Sequence, residues 1–232
     1  MVTGASKGLG LAIVEELLGK GGVNVHGYSR SGMDDRDNYT HHCTDLSDAD
    51  AVAQLVLPQL PEDCEKVVLV NNAATLGEIK YVGSQDPSSI ISAYQLNVVT
   101  PHLLCNQLIA AYPDKAKVII NIGSGAATSP YDGWNIYSTS KAALQMLTLV
   151  MEKEAELSGS ELKAYAIAPG VLDTDMQVQI RETDESGFSR RAKFADLHRE
   201  GNLRKPKQAA DYIVMIGRGE FIPDETVYRL PI

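Results

Sequence analysis

The chain has 232 residues, which suits one α/β domain that buries most of the apolar surface exposed by its unfolded form. Hydrophobic residues make up 44% and charged residues 22% of the chain, and these ordinary globular values argue against a disordered or a fibrous protein. The net charge of −9 opposes non-specific binding to nucleic acid or to an anionic membrane surface.

The sequence shows no pattern typical of a membrane span, a secretion signal or a metal site. Its apolar stretches are far shorter than the ~20 residues of a membrane span, and no signal sequence precedes the first glycines. The three cysteines lack the spacing of a disulfide framework or a metal site, which predicts free thiols: Cys43, Cys64 and Cys105. The adjacent His41 and His42 would point to opposite faces of a strand. We therefore expect a soluble cytoplasmic protein without a metal ion.

Apolar runs alternate with helical patterns along the chain, as in a parallel sheet built from βαβ units. The predicted strands are 23–29, 39–44, 66–71, 117–123, 162–168 and 226–229. The predicted helices are 9–20, 47–56, 87–112, 137–157 and 207–216. Before them, Met1-Val2-Thr3 supplies only the end of a further strand. We expect the true start to lie upstream, because losing a central strand would expose apolar neighbours and unpaired backbone groups.

The first predicted helix follows a glycine-rich turn that contains Gly4, Gly8 and Gly10. Glycine lets the backbone turn tightly and approach a pyrophosphate, whose charge is favoured by the free N–H groups of a helix N-terminus. The spacing Gly-x-x-x-Gly-x-Gly is a variant of the dinucleotide-binding fingerprint. The alternative is an ordinary strand-to-helix turn.

The end of the second predicted strand indicates which dinucleotide would bind. An NAD site usually offers an acidic residue about 20 residues beyond the glycines, whereas an NADP site offers an arginine to the 2′-phosphate. Arg30 occupies that place and favours NADP(H). The alternative is that Arg30 is a surface charge and that Asp34 or Asp35 reaches the ribose of NAD.

Tyr137 and Lys141 are four residues apart, about one helical turn, and Ser124 ends an apolar run upstream of them. Tyrosine normally titrates near pH ~10, so acid–base work near neutrality needs a positive charge that lowers its pKa. Lys141 is placed to supply that charge. Taken alone, the two residues are more simply read as a solvated pair on a helix.

The polar stretch 177–203, rich in Arg, Asp, Glu and Ser, interrupts the alternation of strands and helices. It predicts a substrate lid around 175–205, since loops beside a site often close over a ligand. A solvated surface helix is an equal alternative. No repeat, low-complexity tract or linker divides the chain, so 1–232 is expected to be one domain.

Together these features resemble the short-chain dehydrogenase/reductase family over nearly the whole chain. The landmarks occur in that family's order: Thr3 to Gly10, Asp45-Leu46, Asn71-Asn72-Ala73-Ala74, Asn97, Ser124, Tyr137 with Lys141, and Pro169-Gly170 followed by Thr174. The resemblance implies a doubly wound Rossmann fold with a parallel sheet of about seven strands, the first apparently truncated, flanked by helices. It also implies a homodimer through the long helices around Asn97 and Tyr137, which could instead pack within one chain.

The resemblance further implies a binding surface for NADP(H). The cofactor-binding residues that it implies are Gly4, Ser6, Lys7, Gly8, Leu9, Gly10, Ser29, Arg30, Asp45, Leu46, Asn71, Asn72, Ala73, Ala74, Tyr137, Lys141, Pro169, Gly170, Val171 and Thr174. Lys7 and Ser29 would join Arg30 at the 2′-phosphate, and Asp45 would help to contact the adenine. Alternatively, Asp45 belongs to a helix N-cap region, and 71–74 and 169–170 are plain turns.

The chemistry implied by the resemblance is hydride transfer from a reduced nicotinamide to a ketone carbon. Ser124 would hold the carbonyl oxygen, Tyr137 would deliver a proton to it, and Lys141 would keep the phenol acidic and bind the nicotinamide ribose. Asn97 would position a water for proton resupply. Its alternative role is that of a buried core asparagine.

Within the family, 129–137 and 168–177 resemble the sepiapterin reductase and benzil reductase branch. This branch implies a vicinal dicarbonyl substrate beside an aromatic ring, contacted by Ser124, Tyr137 and Trp134, although Trp134 could equally be a packing residue. Pterin binding there uses an acidic residue near the C-terminus, where this chain has Tyr228, so a benzil reductase-like enzyme is favoured over a sepiapterin reductase. A regulator that senses NADP without turnover and an alcohol dehydrogenase working oxidatively are the other hypotheses.

Overall fold

The computed structural model describes residues 1–32 and 34–231 of the chain. Within those residues, seven parallel strands form one sheet in the order β3-β2-β1-β4-β5-β6-β7. The strands are β1 (Val2–Thr3), β2 (Val25–Ser29), β3 (Tyr39–Cys43), β4 (Lys66–Asn71), β5 (Ala116–Ile122), β6 (Leu162–Ala168) and β7 (Val227–Arg229). The predicted α/β class and seven-stranded parallel sheet are confirmed.

Helices cover both faces of this sheet. They are α1 (Gly8–Lys20), α2 (Ala49–Ala53), α3 (Pro87–Tyr94), α4 (Thr100–Ala111), α5 (Asn135–Ser158), α6 (Asp175–Glu182), α7 (Arg191–Arg199) and α8 (Pro206–Arg218). α1 and α8 pack on one face, in a core that includes Ile120. α2, α4 and α5 pack on the other, in a core that includes Ile119. Successive residues of β5 thus pack in opposite cores, because side chains alternate between the two faces of a strand.

The strand order reverses between β1 and β4. From β1 the chain runs outward through β2 to β3, and it then returns to the other side of β1 and continues from β4 to β7. Doubly wound sheets bind dinucleotides in the crevice at such a switch point, outside the carboxyl ends of the strands. The arrangement is the Rossmann fold that the sequence predicts.

β1 is only two residues long, and it is nevertheless a central strand. Val2 pairs with Gly27 on one side and with Val70 on the other, while Thr3 pairs with Tyr28. Val2 and Thr3 are both buried. The short strand therefore connects the two halves of the sheet and leads directly into the glycine-rich turn.

The predicted helix 87–112 is interrupted by a π-helical turn at Gln95–Val99, between α3 and α4. Here Thr100 N donates to Gln95 O, five residues back. Pro101 follows and has no N–H, so one α-helical hydrogen bond cannot form at this place. The turn carries Asn97 into the interior, where it is 1% exposed.

α2 is also shorter than its predicted span 47–56. It starts late because the Asp48 carboxylate caps it, accepting bonds from the N–H groups of Asp50 and Ala51. The other predicted helices and strands agree with the structure to within two residues at each end.

The stretch proposed as a lid contains two helices that the sequence does not predict, α6 and α7. A bridge between Leu172 and Arg204 joins its two ends. Ile180, Phe188 and Phe194 are 2%, 0% and 6% exposed. The stretch is therefore not a solvated surface helix, because it buries an apolar side against the rest of the protein. Among the described residues, no helix is both long and apolar enough to cross a bilayer.

Candidate active site

The candidate site lies along the carboxyl edge of neighbouring strands. β1 leads into Gly4, β4 leads into Asn72, and Ser124 lies two residues beyond the end of β5. Because these strands are adjacent and parallel, their carboxyl ends meet at one edge. The glycine-rich turn, the 71–74 turn and the serine proposed as catalytic are thereby brought together.

Tyr137 and Lys141 project from the first two turns of α5 and are buried, at 8% and 2% exposed. Lys141 Nζ lies 5.7 Å from the centroid of the Tyr137 ring. It donates to Ile122 O at 2.7 Å, at the end of the strand that leads to Ser124. The two side chains share one face of the helix, as their spacing predicts, so they are not a solvated pair.

Ser124 completes the group. Its Oγ accepts a bond from Ala126 N at 3.1 Å and caps a short 3₁₀ turn, Gly125–Ala127. That contact uses a lone pair and leaves the hydroxyl proton to be donated. The Ser124 hydroxyl also lies near enough to the Tyr137 phenol to lower its pKa in part. The structure therefore brings together the three residues that the sequence singles out for proton transfer.

The electrostatics of the pair differ from the prediction. Burial raises the pKa of Tyr137 above its usual value, and the nearby Ser124 hydroxyl offsets only part of that rise. Burial lowers the pKa of Lys141 to about 8. The predicted net lowering of the phenol pKa is wrong in this structure, because loss of water around Tyr137 outweighs the effect of Ser124. Tyr137 consequently keeps its proton at neutral pH, as a proton donor must.

Three hydrogen bonds hold the Asn97 side chain. Its Oδ1 accepts from Thr75 N at 2.9 Å, and its Nδ2 donates to Thr75 O at 2.8 Å and to Ser140 Oγ at 3.0 Å. Ser140 Oγ in turn donates to Tyr137 O. These bonds use both amide hydrogens and one of the two lone pairs of Oδ1. The asparagine thus joins the π-helical turn to α5, and a relay water would have to donate to the second lone pair.

The glycine-rich turn has the features that an anionic phosphate needs. Gly4 and Gly8 adopt positive φ of 66° and 56°. A Cβ on Gly10 would lie 2.1 Å from Gly4 O, so only glycine allows α1 to pack this closely on the turn. Lys7 at the N-cap makes no side-chain capping bond, and the first turn of α1 has no acidic residue. The uncapped helix N-terminus fits a pyrophosphate.

Thr3, which the sequence analysis named as a landmark but gave no role, fixes the neighbouring turn. Its Oγ1 accepts from Asn72 N at 2.9 Å and Ala73 N at 3.0 Å, and Asn72 Nδ2 donates to Thr3 O at 2.9 Å. Asn71 points elsewhere. Its side chain is 2% exposed and donates to Asn121 Oδ1 at 2.8 Å in the core. Any part that Asn71 plays in cofactor binding must therefore use its backbone.

Arg30 and Ser29 lie at the end of β2. Arg30 is exposed, whereas Ser29 is buried. The Ser29 hydroxyl donates to Ser31 O at 2.8 Å and lies 3.1 Å from His41 Nε2. A phosphate at this place could meet the Arg30 side chain directly, but the Ser29 hydroxyl would have to leave its present partners.

Asp45 and Leu46 play different parts. Asp45 is exposed, and hydrogen bonds from Ser47 lower the pKa of its carboxyl group, with a smaller contribution from the Arg30 charge. Leu46 is 5% exposed in the core, and its carbonyl accepts from Thr100 Oγ1 at 2.6 Å. Asp45 is thus available to a ligand near Arg30, while the Leu46 side chain packs in the core.

The 169–174 segment borders the glycine-rich turn. Gly170 adopts a positive φ of 85°, and Val171 O accepts from Arg204 N at the base of the lid. A Cβ on Gly8 would lie 3.4 Å from Thr174 Cγ2, so Thr174 faces the turn. Next to it, Lys7 Nζ lies 2.8 Å from Asp175 Oδ2. Lys7 is therefore bound to the lid in this structure.

Trp134 lies at the centre of an aromatic cluster above Tyr137. Tyr131 and Phe188 stack on the indole with ring centroids 5.0 Å and 4.9 Å away, Phe194 lies at 5.2 Å, and Tyr137 meets it edge-on at 5.7 Å. Sequence reasoning missed both phenylalanines. A signal was present, because two of the three phenylalanines of the chain fall in its otherwise polar lid. Trp134 thus packs the lid against the residue proposed to donate the proton.

Asp132 holds the same part of the lid by polar contacts that sequence reasoning also missed. Its carboxylate accepts from Ser189 N and Ser189 Oγ, each at 2.8 Å, and from Tyr81 Oη at 3.0 Å. Beside it, a Cβ on Gly133 would lie only 2.0 Å from Gly187 O. The lid backbone therefore lies directly on the loop that precedes α5.

In the described part of the chain, no group of three or more His, Cys, Asp or Glu side chains could hold a metal ion.

Comparisons with known proteins agree with the site geometry. The family model for short chain dehydrogenases matches residues 1–185. A benzil reductase of Bacillus subtilis, named as forming (S)-benzoin, is 36% identical over 214 residues, which cover 89% of this chain and 87% of that protein. Sepiapterin reductase of Bos taurus is 32% identical over 182 residues, covering 74% and 66%. A short chain dehydrogenase/reductase structure from Saccharomyces cerevisiae superposes with a TM-score of 0.86 at 26% identity, covering 98% and 94%.

Proposed function

The chain belongs to the short-chain dehydrogenase family of oxidoreductases, and we propose that it is an NADPH-dependent reductase that transfers hydride to one ketone of a vicinal dicarbonyl, as a benzil reductase does. The observation that carries the proposal is the group formed by Ser124 and the buried Tyr137 and Lys141 at the carboxyl edge of the sheet. A sensor that only binds NADP has no need for a proton donor built in this way.

The proposed roles follow from the contacts of each side chain. Ser124 donates a hydrogen bond to the substrate carbonyl oxygen, since the bond that it accepts from Ala126 N uses one lone pair and leaves its O–H as a donor. Tyr137 holds its proton at neutral pH and delivers it to the same oxygen. Lys141, fixed by Ile122 O beside the ring, stabilises the phenolate that remains. Asn97 bonds to Ser140, which in turn bonds to Tyr137 O, and it positions the water that resupplies the proton.

The dinucleotide supplies the hydride when it is bound, and the chain supplies its binding surface. Gly4, Gly8 and the uncapped N-terminus of α1 suit the pyrophosphate. We propose the exposed Arg30 and Lys7 as the partners of a 2′-phosphate, which favours NADP(H) over NAD(H). The remaining cofactor contacts proposed from the sequence lie on the 45–46, 71–74 and 169–174 segments at the same edge.

The aromatic surroundings of Tyr137 support an aryl dicarbonyl as the substrate. Trp134, Phe188 and Phe194 form an apolar cluster with it. For sepiapterin, the expected acidic residue is replaced by Tyr228, which is partly buried and packs against Phe221, with centroids 5.7 Å apart, at the edge of the core beside α8. We therefore place benzil reduction first and pterin side-chain reduction second.

We also propose a homodimer in the cytoplasm. The outer faces of α5 and the π-helical turn expose apolar side chains, with Met146 59%, Val150 43% and Val99 39% exposed, as expected of a surface that a second copy covers. The free thiols of the three cysteines suit a reducing compartment. Light scattering of the purified protein measures the oligomeric state directly, and a monomer at micromolar concentration would refute the dimer.

The function is tested by following NADPH oxidation with benzil in the wild type and in Tyr137→Phe. The wild type should turn over, and the variant, which lacks the proton donor but keeps the ring, should lose activity by about 10²-fold or more. NADPH affinity of the variant, measured by calorimetry, should change little. Tight NADPH binding without turnover of any dicarbonyl by the wild type would instead support the sensor.

A further inference from the structure

We propose that the indole N–H of Trp134 donates a hydrogen bond to the second, non-reacting carbonyl of a vicinal dicarbonyl, and so selects such substrates over simple ketones. The inference rests on the proposed reductase function and assigns the element that recognises the second carbonyl. It gives Trp134 a polar role in addition to its packing.

The starting observation is a buried donor that is not used. Within the described residues, Trp134 Nε1 is buried and has no hydrogen-bond partner. Trp134 as a whole is only 5% exposed. A buried indole N–H normally finds an acceptor, since leaving it unpaired costs stability. An unpaired donor at a candidate active site is therefore best explained by an acceptor that arrives with the ligand.

The position of Trp134 suits that ligand. It is the N-cap residue of α5, three positions before Tyr137, so the two side chains are neighbours on one side of the helix. Their rings meet at 82° with centroids 5.7 Å apart. When Ser124 and Tyr137 hold one carbonyl oxygen, the adjacent carbon of a vicinal dicarbonyl carries a second oxygen beside the first, and the proposal places that oxygen against the indole that borders the Tyr137 ring.

The lid makes such a hydrogen bond selective. Phe188 and Phe194 pack on the indole and keep water from it. In dry surroundings a hydrogen bond is stronger than in water, and a substrate without the acceptor leaves the donor unpaired. A monoketone of the same shape therefore loses an interaction that water does not replace.

The test pairs two substrates with two variants. Benzil has both carbonyls, whereas deoxybenzoin has a CH₂ group in place of one. Trp134→Phe keeps an aromatic ring and removes the N–H. We expect kcat/KM for benzil to fall by about tenfold or more in this variant, and kcat/KM for deoxybenzoin to change by less than about twofold. Phe194→Leu, which alters packing on the same indole, should affect both substrates alike.

A second replacement guards against a variant that folds poorly. Trp134 is the single tryptophan of the chain. Suppression of a nonsense codon at this position with benzothienylalanine exchanges the N–H for sulfur while keeping the bicyclic shape. This protein should show the same selective loss with benzil, and its thermal melting temperature should match that of the wild type.

Two results would overturn the proposal: equal loss with both substrates after removal of the N–H, or no loss with either. Each is distinct from failure of the proposed function, in which the wild type reduces neither compound. As an independent readout, the emission of the single tryptophan should shift when a non-reducible dicarbonyl analogue binds with NADP⁺, and should not shift with the monoketone.

Discussion

Lys7 Nζ lies 2.8 Å from Asp175 Oδ2 and thereby joins the glycine-rich turn to the first residue of lid helix α6. The two side chains are 75% and 76% exposed, so water screens the pair and its effect on stability is small. Lys7 is also a proposed partner of the 2′-phosphate. If Lys7 binds the 2′-phosphate as proposed, Asp175 of the lid and the phosphate compete for one ammonium group.

Asp175→Asn should release Lys7 and strengthen NADPH binding by a few-fold at most, because exposed ion pairs are weak. NADH, which has no 2′-phosphate, should bind as before. Calorimetry with both cofactors gives the two dissociation constants. Glu156→Gln, which removes a similarly exposed pair with Lys153 on α5, is the control and should change neither. An equal change for NADPH and NADH would show that the pair acts on the lid alone.

Arg30→Ala should weaken NADPH binding by about tenfold or more, the loss expected when a charge-assisted bond to a phosphate is removed. NADH affinity should stay within about twofold of the wild-type value. The control is Arg199→Ala, at an exposed arginine of α7 that pairs with Asp196. A larger loss for NADH than for NADPH would contradict the assignment of NADP and favour Asp34 or Asp35 as ribose ligands.

The rate of reduction should fall as the pH rises through about 8. Burial lowers the pKa of Lys141 to about 8, so the ammonium is charged below that pH and neutral above it. The pKa of Tyr137 is raised, so the phenol still carries its proton when Lys141 loses its own. Above pH 8 the phenolate left by proton transfer lacks its stabilising charge. The pH profile of kcat/KM for benzil measures whether the rate falls in this range.

Lys141→Arg separates this cause from others, because arginine does not lose its proton in this range. Its activity should be lower than that of the wild type, since the guanidinium does not fit the same bond to Ile122 O. The decline near pH 8 should nevertheless be absent. A decline at the same pH in both proteins would assign it to another group.

The sheet was predictable because its central strands are continuous apolar runs buried on both faces. β4 and β6 have the predicted bounds, and β5 differs by one residue. The catalytic spacing was predictable for a similar reason, since Tyr137 and Lys141 are linked by local helix geometry. These features depend on residues that are close together in the sequence.

Features that depend on distant contacts could not be predicted. The raised pKa of Tyr137 follows from burial, to which Phe188 and Phe194 of the lid cluster contribute. α6 and α7 are short and mostly polar, which drew attention to the polarity of the stretch, although Met176 with Ile180 and Phe194 with Leu197 have helical spacing. The π-helical turn left a weak signal in Pro101, inside an otherwise helical pattern. Its consequence, the position of Asn97, required the fold.

Gly133→Ala should loosen the lid. Gly133 adopts a positive φ of 73°, and an added Cβ would lie 2.0 Å from Gly187 O. The backbone strain alone costs on the order of 1–3 kcal/mol, and the clash pushes the lid from the loop before α5. The expected result is faster cleavage by trypsin at Arg190 and Arg191, together with a higher KM for benzil.

Gly19→Ala is the matched control, because a Cβ there meets no atom within 4 Å and its φ is not positive. That variant should keep the wild-type KM and cleavage rate and gain slightly in stability, as alanine does inside a helix. Equal cleavage rates in the two variants would mean that Gly133 does not hold the lid. In that case the polar contacts of Asp132 with Ser189 would be the remaining candidate for what keeps Phe188 on Trp134.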